Sequence, residues 1–365
     1  MKVAIVHYWL INMRGGEKML EALLELFPDA DIFTHVYNPS AVSDLINSHN
    51  VYTSYIQQFP FAKKLYQKYL PFMPKALDSF NLQNYDLVIS SEAGPAKGII
   101  PNPDAWHICY CHSPMRYAWD MYHEYFEKTG FFTRFFMKRL IPRLRLWDVS
   151  SANLVDRFIT NSGYSARRIK RYYNRDAEVV YGPASVEKYL HVPRNPADYY
   201  LLAGQVTGYK RADIAIEACV SSGRKLVVAG SGMSKKEIRR WTKTGLVSFK
   251  GRVTDGELIS LFSGARALIF PGIEDMGLIP IEANAAGCPV IAYGKGGVLD
   301  TIKDGVTGLF FDKQTPSSLI KALDQFEAGE EHYKDRTLYN AQVEQFSREA
   351  FKERIKRIVA ERKRI

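Results

Sequence analysis

The sequence has no long apolar run and little cysteine, and both absences limit the class of protein. No stretch approaches the roughly 20 apolar residues that a membrane-spanning helix needs. The first residues, Met-Lys-Val-Ala-Ile-Val-His, lack the apolar stretch and cleavage site of a signal peptide and predict a first strand. The four cysteines, Cys109, Cys111, Cys219 and Cys288, favour free thiols in a reducing compartment. We therefore expect a cytoplasmic protein.

The motifs that would direct a positive charge to nucleic acid are also absent. The net charge of +10 suits a polyanionic partner. However, no zinc-finger spacing, RNP-like stretch or convincing helix-turn-helix occurs. The sequence also lacks the Gly-x-x-x-x-Gly-Lys-Ser/Thr pattern of a P-loop. We expect no nucleic-acid partner.

Part of the positive charge lies in residues 131–147, FFTRFFMKRLIPRLRLW, where bases are interleaved with large apolar side chains. Basic residues beside exposed aromatic rings are attracted to anionic bilayer surfaces. A core helix with a solvated basic face has the same pattern. The sequence leaves both interpretations open.

Apolar runs and helical periodicity alternate along almost the whole chain. Alternating strands and helices predict an α/β protein whose parallel sheets are covered on both faces. The number of strands suits two sheets better than one. The predicted strands are 2–6, 31–36, 86–90, 106–111, 157–160, 178–181, 199–203, 225–229, 246–249, 267–270 and 289–293.

A break near residues 192–200, VPRNPADYY, interrupts this alternation with two prolines. It predicts a first domain over 1–194 and a second over 195–345. The remaining segment, 346–365, is a strongly helical amphipathic end, which we expect to pack back on the first domain.

In open parallel sheets, ligands bind beyond the carboxyl ends of the strands, so the residues after each strand are the candidates for a site. Gly15 and Gly16 follow the first strand and begin a helix, where backbone N–H groups can approach an anion. After the strand at 199–203, Lys210 and Arg211 stand at another helix start. Arg252 lies on the loop after the strand at 246–249.

Residues 271–297, PGIEDMGLIPIEANAAGCPVIAYGKGG, carry the most chemistry. Glu274 lies in a Gly/Pro turn, and Glu282 lies one to two turns into the helix behind it. The free N–H groups of that helix start favour an anion. Carboxylates on either side can accept hydrogen bonds from paired hydroxyls. A nucleotide-sugar, with hydroxyls at both ends and a diphosphate between them, matches this layout.

The segment EDMGLIPIE, 274–282, resembles the E-x7-E motif of retaining GT-B glycosyltransferases, and its surroundings resemble family GT4. The resemblance covers essentially the whole chain, including 111–125, 159–173 and 286–302. Those stretches are similar to bacterial mannosyltransferases of O-antigen and exopolysaccharide assembly. The resemblance implies a GT-B fold, in which two Rossmann-like domains face each other across a cleft.

The resemblance also implies a role for each matching residue. Glu274 would touch the donor sugar near the reacting centre, Glu282 would bind the ribose, and Lys210 would contact the diphosphate. His112 would lie near the donor sugar and acceptor. The remaining expected donor-binding residues are Gly15 and Gly16 over the phosphates, Arg252 and Val253 beside the base, and Asp275, Met276, Gly277 and Leu278 within the motif.

One departure from the family pattern concerns the diphosphate. The family usually has an arginine about five residues before the lysine, and this chain has Gln205 there. The change removes a fixed positive charge, which Arg211 would have to supply. A non-catalytic nucleotide-sugar-binding homologue is therefore the alternative to an active enzyme. Met276, where an aromatic residue is common, is a packing change.

The implied reaction moves a hexose, best matched by mannose from GDP-mannose, to a lipid-linked or oligosaccharide acceptor; a UDP-sugar is the alternative donor. Two glutamates could instead form a glycosidase pair, but phosphate-binding features surround both. The Asp-x-Asp at 29–31 has the form that metal-dependent transferases of another fold use, and we expect it to be a solvated turn. No metal or other cofactor is expected. The expected location is the cytoplasm or the inner face of the cell membrane.

Overall fold

Two parallel sheets organise the computed structural model, which describes residues 1–127 and 129–362. The first sheet has seven strands in the order β3-β2-β1-β4-β5-β6-β7, and the second has six in the order β10-β9-β8-β11-β12-β13. The strands are β1 Val3–His7, β2 Asp31–Thr34, β3 Val51–Thr53, β4 Leu87–Glu92, β5 Trp106–Cys111, β6 Arg157–Thr160, β7 Ala177–Val179, β8 Tyr200–Ala203, β9 Leu226–Ala229, β10 Val247–Gly251, β11 Leu268–Phe270, β12 Val290–Tyr293 and β13 Gly308–Phe311.

Helices connect most successive strands of each sheet, and several are only one turn long, whereas β4 and β5 are joined without a helix in the described chain. The α-helices are α1 Gly15–Leu26, α2 Asp44–Asn47, α3 Ala62–Leu65, α4 Met73–Ala76, α5 Tyr122–Glu127, α6 Phe131–Ser151, α7 Gly163–Tyr173, α8 Ala212–Ser221, α9 Lys235–Thr242, α10 Asp255–Gly264, α11 Leu278–Ala285, α12 Val298–Thr301, α13 Pro316–Ala328, α14 Thr337–Val343 and α15 Arg348–Glu361.

The chain divides into two units, one formed by Met1–Pro183 with Phe351–Ile365 and the other by Ala184–Ala350. In the first unit, the apolar residues of β1 and β4 are buried on both sheet faces, as expected for inner strands of a covered parallel sheet. In the second unit, β8 and β11 have the same character. The predicted α/β architecture with two Rossmann-like halves is confirmed.

The last helix belongs to the first unit. Phe351, Ile355 and Ile358 on α15 are buried in the same core cluster as Val3 and Ile5 of β1. Burying side chains of this size contributes roughly 1.5–3 kcal/mol each. Residues 363–365 of the predicted segment 346–365 lie outside the described residues.

The boundary between the units lies at Pro183–Ala184, before the predicted division at 194–195. Segment 184–194 is irregular, and its backbone is bound to the second unit. The guanidinium of Arg336 donates to the carbonyls of Tyr189, Leu190 and Val192. The prolines at 193 and 196 interrupt the strand pattern, but they mark the entry into β8 and not the end of the first unit.

Two strands, β3 and β13, were not predicted, and each lies at one edge of its sheet. β3 has only three residues and leaves Tyr52 exposed. This short, exposed edge strand lacks the buried-strand pattern of a central strand. β13 does have an apolar run, Gly-Leu-Phe-Phe, and is largely buried, so a strand signal was present there and was missed.

A buried ionic cluster joins the end of β4 to α6 and α7. Lys97 is 0% exposed, and its Nζ lies 2.7 Å from Oε1 of Glu92 and also contacts Oδ1 of Asp148. Trp119 Nε1 and the Tyr173 hydroxyl donate to Oδ2 of Asp148 at 2.7 and 2.9 Å. This cluster fixes the last turns of α6.

The two halves of α6 have different environments. Ile141 and Leu144 are buried, whereas Phe131 and Phe132 are each 79% exposed. The core interpretation of residues 131–147 therefore fits the second half of the helix, and the bilayer interpretation of its first turns stays a prediction. Its second half packs in the core, and its first turns are exposed. Among the described residues, none of the helices is long and apolar enough to cross a bilayer.

Candidate functional site

Lys210 lies beyond the carboxyl end of β8. The loop after β8 leads into a short 3₁₀ turn, Gly208–Lys210, and α8 starts two residues later. Nζ of Lys210 lies 2.7 Å from Oε1 of Glu274, and both side chains are about one-fifth exposed, at 20% and 21%. The structure thus brings together two of the three residues predicted to be catalytic.

This pair forms because two loops touch along their backbones. An added Cβ on Gly272, in the loop after β11, would come 2.8 Å from Cα of Lys210. Only glycine allows this approach, which sets the lysine turn directly beside the turn that carries Glu274. Gln205, Lys210 and Glu274 line one pocket beyond β8 and β11. A ligand in that pocket meets both charges of the pair.

The helix start predicted between the two glutamates is present. Gly277 caps α11 with a φ of +84°, a left-handed conformation that glycine adopts without strain. Met276 is buried before it, and Asp275 and Leu278 lie on either side of this turn. The first backbone N–H groups of α11 carry the positive end of the helix dipole. The segment 274–278 therefore presents both a carboxylate and an anion-favouring helix end.

Glu282 lies in the second turn of α11 and is 7% exposed. Its charge acts on Tyr189: burial, and then the nearby Glu282, raises the pKa of the Tyr189 hydroxyl. Both residues belong to the second unit. A ligand hydroxyl that reached Glu282 would meet a carboxylate that is shielded from water.

A second glycine pair, which was not predicted, packs against the backbone of the loop that carries Glu274. Gly296 and Gly297 follow β12, and the amide of Gly297 donates to the carbonyl of Glu274 at 2.8 Å. An added Cβ on Gly297 would come 2.3 Å from the carbonyl oxygen of Asp275 and 2.5 Å from Cα of Met276. Any side chain there would displace the loop that carries Glu274. Both glycines lie in the stretch 271–297, but no role was predicted for them.

The exchange Gly297→Ala should therefore lower kcat/KM for the donor roughly 10- to 100-fold, because a shift of the motif loop by about 1 Å misplaces Glu274. Steady-state kinetics measures the effect, and a thermal melt checks the fold. Gly256→Ala is the matched control, since an added Cβ meets nothing within 4 Å there. Equal rates for the two variants would show that the loop position is not critical.

Arg211 is present at the helix start but is already paired. Its guanidinium donates twice to the carboxylate of Asp213, from Nε at 3.0 Å and from Nη2 at 2.8 Å. Gln205, the residue in place of the usual arginine, is exposed in the loop after β8. The second cation expected for a diphosphate is therefore held by a neighbouring acid, and Lys210 is the cation that lines the pocket.

Arg252 and Val253 are not brought to this pocket. They lie in the loop between β10 and α10, and β10 is the edge strand, separated from β8 by β9. Arg252 is exposed. Their predicted contact with a nucleotide base stays a prediction.

The predicted residues of the first unit gather beyond β1 and β5. Gly15 and Gly16 begin α1, and an added Cβ on Gly16 would come 2.4 Å from the Tyr8 hydroxyl oxygen. The glycine is needed because α1 starts directly against the end of β1. Burial strongly raises the pKa of that Tyr8 hydroxyl, so it stays protonated and can act as a hydrogen-bond donor.

His112 follows β5, and its Nε2 lies 3.0 Å from Oγ of Ser91 at the end of β4. Burial, and then the neighbouring His7, lowers the pKa of His112 to about 3. The ring is therefore neutral near pH 7. His7, Glu17 and Ser91 around it were not predicted as site residues; the only sequence signal was Glu17, directly after the glycine pair.

The predicted solvated turn at 29–31 is wrong for one residue. Asp31 is buried at the start of β2, where its carboxylate accepts from the Tyr85 hydroxyl at 2.6 Å and from Asn50 Nδ2 at 2.9 Å. Within the described part of the chain, no group of three or more His, Cys, Asp or Glu side chains is placed to hold a metal ion. The absence of a metal requirement stays a prediction.

Comparison with known protein families covers both units. A family model described as Glycosyltransferase Family 4 matches residues 13–188, and one described as Glycosyl transferases group 1 matches residues 191–343. Among curated proteins, D-inositol 3-phosphate glycosyltransferase of Streptomyces scabiei is 28% identical over 205 residues, which is 47% of this chain and 46% of that protein. Glycogen synthase of Xanthomonas euvesicatoria is 28% identical over 152 residues, 39% of this chain and 30% of that protein. The chain thus spans about half or less of the curated relatives it matches.

Solved structures match the chain over almost its whole length. Anabaena HepE in complex with UDP and glucose has a TM-score of 0.68 and 16% identity, with 99% of each chain covered. Sucrose-phosphate synthase from Thermosynechococcus elongatus has a TM-score of 0.72 and 16% identity, again with 99% of each chain covered. At such identities the likeness establishes the fold, and it confirms the predicted GT-B class.

Proposed function

Because the chain belongs to the family 4 glycosyltransferases, we propose that it is a retaining hexosyltransferase that uses a nucleotide diphosphate sugar. The donor we propose is GDP-mannose, and the acceptor is a hydroxyl of a lipid-linked or oligosaccharide substrate of bacterial surface polysaccharide synthesis. The observation that carries this proposal is the Lys210–Glu274 pair, set beside the start of α11.

Sugar transfer is helped by a cation at the leaving diphosphate and a carboxylate beside the donor sugar. The bond between the sugar's anomeric carbon and the diphosphate oxygen breaks, and a bond from the acceptor oxygen forms on the same face of the sugar. Negative charge then grows on the diphosphate, where the ammonium of Lys210 and the N–H groups of α11 favour it. The acceptor's proton passes to the leaving phosphate oxygen, so no separate protein base is required.

The proposed roles of Glu274 and Glu282 follow from the groups around each carboxylate. Glu274 contacts Lys210, at the proposed phosphate position, and would accept a hydroxyl of the donor sugar. Glu282 is buried one turn into α11 and would hold the ribose hydroxyls. Asp275, Met276, Gly277 and Leu278 form the turn between them. In this proposal, sugar, diphosphate and nucleoside follow one another along one loop and helix.

A UDP-sugar is the second candidate donor. The observation that favours it is the likeness to Anabaena HepE, whose structure contains UDP and glucose. A non-catalytic nucleotide-sugar-binding protein is the other alternative, and its support is the pairing of Arg211 with Asp213 where Gln205 supplies no charge.

A donor panel tests the proposal. GDP-mannose at 100 times its dissociation constant should stabilise the protein by about 2.7 kcal/mol, seen as a rise in melting temperature. UDP-glucose and UDP-galactose should give smaller shifts. Nucleotide release from GDP-mannose should exceed the rate in buffer and fall strongly in Glu274→Ala. Shifts with UDP-sugars alone favour the second donor, and binding with release at the buffer rate contradicts an enzyme.

We also propose that the first turns of α6 bind an anionic bilayer, which would bring the site to a lipid-linked acceptor. Phe131, Phe132, Phe135 and Phe136 are all exposed, at 47–79%. Arg134, Lys138, Arg139 and Arg143 are exposed on the same helix. Each basic residue near an anionic surface contributes roughly 1 kcal/mol. The free, buried state of the four cysteines fits a location on the cytoplasmic face.

Liposome sedimentation measures this binding. The protein should sediment with vesicles of mixed phosphatidylcholine and phosphatidylglycerol at low salt and be released at high salt, because salt screens exposed charges. Phe131→Ser with Phe132→Ser should abolish most of it. Ile100→Ser, which changes an exposed apolar residue of the same unit, is the matched control. If the double variant sediments like the control, α6 is not the membrane contact.

A further inference from the structure

Four polar side chains of the first unit form a continuous line that ends at His112. Oε1 of Glu17 lies 3.9 Å from Nε2 of His7, Nδ1 of His7 lies 2.9 Å from Oγ of Ser91, and that oxygen lies 3.0 Å from Nε2 of His112. Glu17, His7 and Ser91 are 2%, 0% and 0% exposed. These side chains are shielded from bulk water, so their polar atoms face one another, although the 3.9 Å between Glu17 and His7 is longer than a hydrogen bond.

The protonation states of the two histidines depend on each other, because only one proton lies on the oxygen between them. The hydroxyl of Ser91 carries one proton but faces two ring nitrogens. It donates to one of them and accepts from an N–H of the other. Whichever state Nδ1 of His7 takes, Nε2 of His112 takes the opposite one. The tautomers of two histidines, 105 positions apart in the sequence, are therefore coupled through a single oxygen.

Glu17 decides between the two arrangements. Burial opposes its ionisation, but its interactions with His7 and with the backbone of Arg14 outweigh burial and lower the pKa of Glu17. Its carboxylate has no proton to give, so the proton belongs on Nε2 of His7. Within the described residues this nitrogen has no hydrogen-bond partner. With its ring proton on Nε2, His7 accepts at Nδ1, so Ser91 donates to His7 and accepts from His112.

We propose that Glu17, acting through His7 and Ser91, is a positioning residue that holds His112 with its proton on Nε2 and presents Nδ1 as an acceptor for a sugar hydroxyl. The substrate assignment rests on the proposed function and on the expectation, from the family resemblance, that His112 lies near the donor sugar and acceptor; the proton arrangement does not. Among the described residues, Nδ1 of His112 makes no hydrogen bond, so it is the nitrogen left for a ligand.

The line also connects His112 to the glycine start of α1. Glu17 is the third residue of that helix, and its Oε2 accepts from the amide of Arg14 at 2.9 Å. Gly16 packs against Tyr8 and His7. A change in the position of residues 14–17 would therefore alter the partner of His7, and through Ser91 the state of His112.

The backbone contact of Glu17 makes one substitution unusually informative. In Glu17→Gln, the amide N–H of Arg14 still needs an oxygen acceptor, so the side-chain oxygen stays there and the NH₂ group turns to His7. Nε2 of His7 then becomes an acceptor, its Nδ1 donates to Ser91, and Ser91 donates to Nε2 of His112. The proton of His112 moves to Nδ1. Glu17→Gln should invert the tautomer of His112.

NMR of the full chain with ¹⁵N-labelled histidine measures the tautomer directly, and the His112 signals are identified by their loss in His112→Gln. The native protein should show a protonated Nε2 and an unprotonated Nδ1. Glu17→Gln should show the reverse, and Ser91→Ala a mixture of both forms. Ser91→Thr keeps the hydroxyl and should restore the native pattern. Ser90→Ala is the matched control, because Ser90 pairs with His107 instead, 2.8 Å from its Nε2.

A proton on Nδ1 of His112 in the native protein overturns the proposal, as does a native pattern in both Glu17→Gln and Ser91→Ala. If Ser91→Ala fails to fold, Glu17→Gln decides alone. In donor turnover, Glu17→Gln should lower kcat roughly tenfold with KM for the donor unchanged, since one oriented hydrogen bond is lost. The predicted tautomers without turnover of any donor would contradict the proposed function and leave the proton arrangement standing.

Discussion

Replacing Lys210 with methionine is expected to lower kcat for sugar transfer roughly 10²- to 10³-fold, as does removal of one preorganised charge-stabilising donor in other enzymes. Methionine keeps much of the length and apolar stem of lysine and removes its charge. Lys210 is the cation that lines the pocket beyond β8, and Arg211 is held by Asp213. Gln205 adds no charge, so none of the described residues that line this pocket replaces the lost ammonium. The loss should therefore appear in kcat and also in the affinity for the free nucleoside diphosphate.

The matched control is Lys225→Met, in the same unit. Lys225 forms an exposed pair with Asp198 at 3.0 Å, so its loss should leave turnover unchanged. Thermal melts of both variants separate a loss of chemistry from a loss of fold. A Lys210→Met enzyme that turns over like Lys225→Met would place the diphosphate elsewhere and remove the Lys210–Glu274 pair from the mechanism.

The inner strands and the second-unit site could be predicted from sequence because their signals are local. β8 and β11 are apolar runs, and Lys210 and Glu274 follow them within a few residues. Since carboxyl ends of neighbouring parallel strands meet at one edge, their proximity follows from the order of elements. The distance of Arg252 from this pocket could not be predicted in the same way, because the sequence does not show that β10 is the edge strand.

The partners of His112 could not be predicted, for a different reason. His7 and Ser91 are 84 residues apart, and their contact depends on the pairing of β1 with β4 in a register that sets His7 opposite Ser91. Nothing in either local sequence specifies that register. The attachment of segment 184–194 to the second unit is likewise not a local signal, since it depends on Arg336, far along the chain.

The buried cluster around Lys97 carries the largest expected effect on stability. Burial opposes the charge of Lys97, but the carboxylates of Asp148 and Glu92 outweigh it and raise the pKa of Lys97. Burial and the charge of Asp148 raise the pKa of Glu92, against the pull of Lys97. The ammonium of Lys97 therefore stabilises the carboxyl groups of Glu92 and Asp148 together in one site shielded from water.

Lys97→Met should lower the free energy of unfolding by about 3–5 kcal/mol, because removing one partner leaves the others buried and uncompensated. Urea denaturation at pH 7 measures the loss. The deficit should shrink as the pH falls toward the pKa of Glu92: without the ammonium, a carboxyl whose folded pKa lies above its unfolded value gains stability as it is protonated. The unfolding free energies of the variant and the native protein should therefore converge in mild acid.

Lys356→Met is the matched control for this loss. Its partner Glu353 lies three residues before it on α15, at 2.8 Å, and both side chains are largely exposed. Exposed pairs of this kind contribute roughly 0–1 kcal/mol. If Lys97→Met costs no more than Lys356→Met, water reaches the cluster. In that case the exposed first turns of α6 are not fixed by Asp148, and the proposed bilayer contact would require another anchor. If only Lys97→Met loses much of its free energy of unfolding, the cluster holds α6 in its orientation against the end of β4.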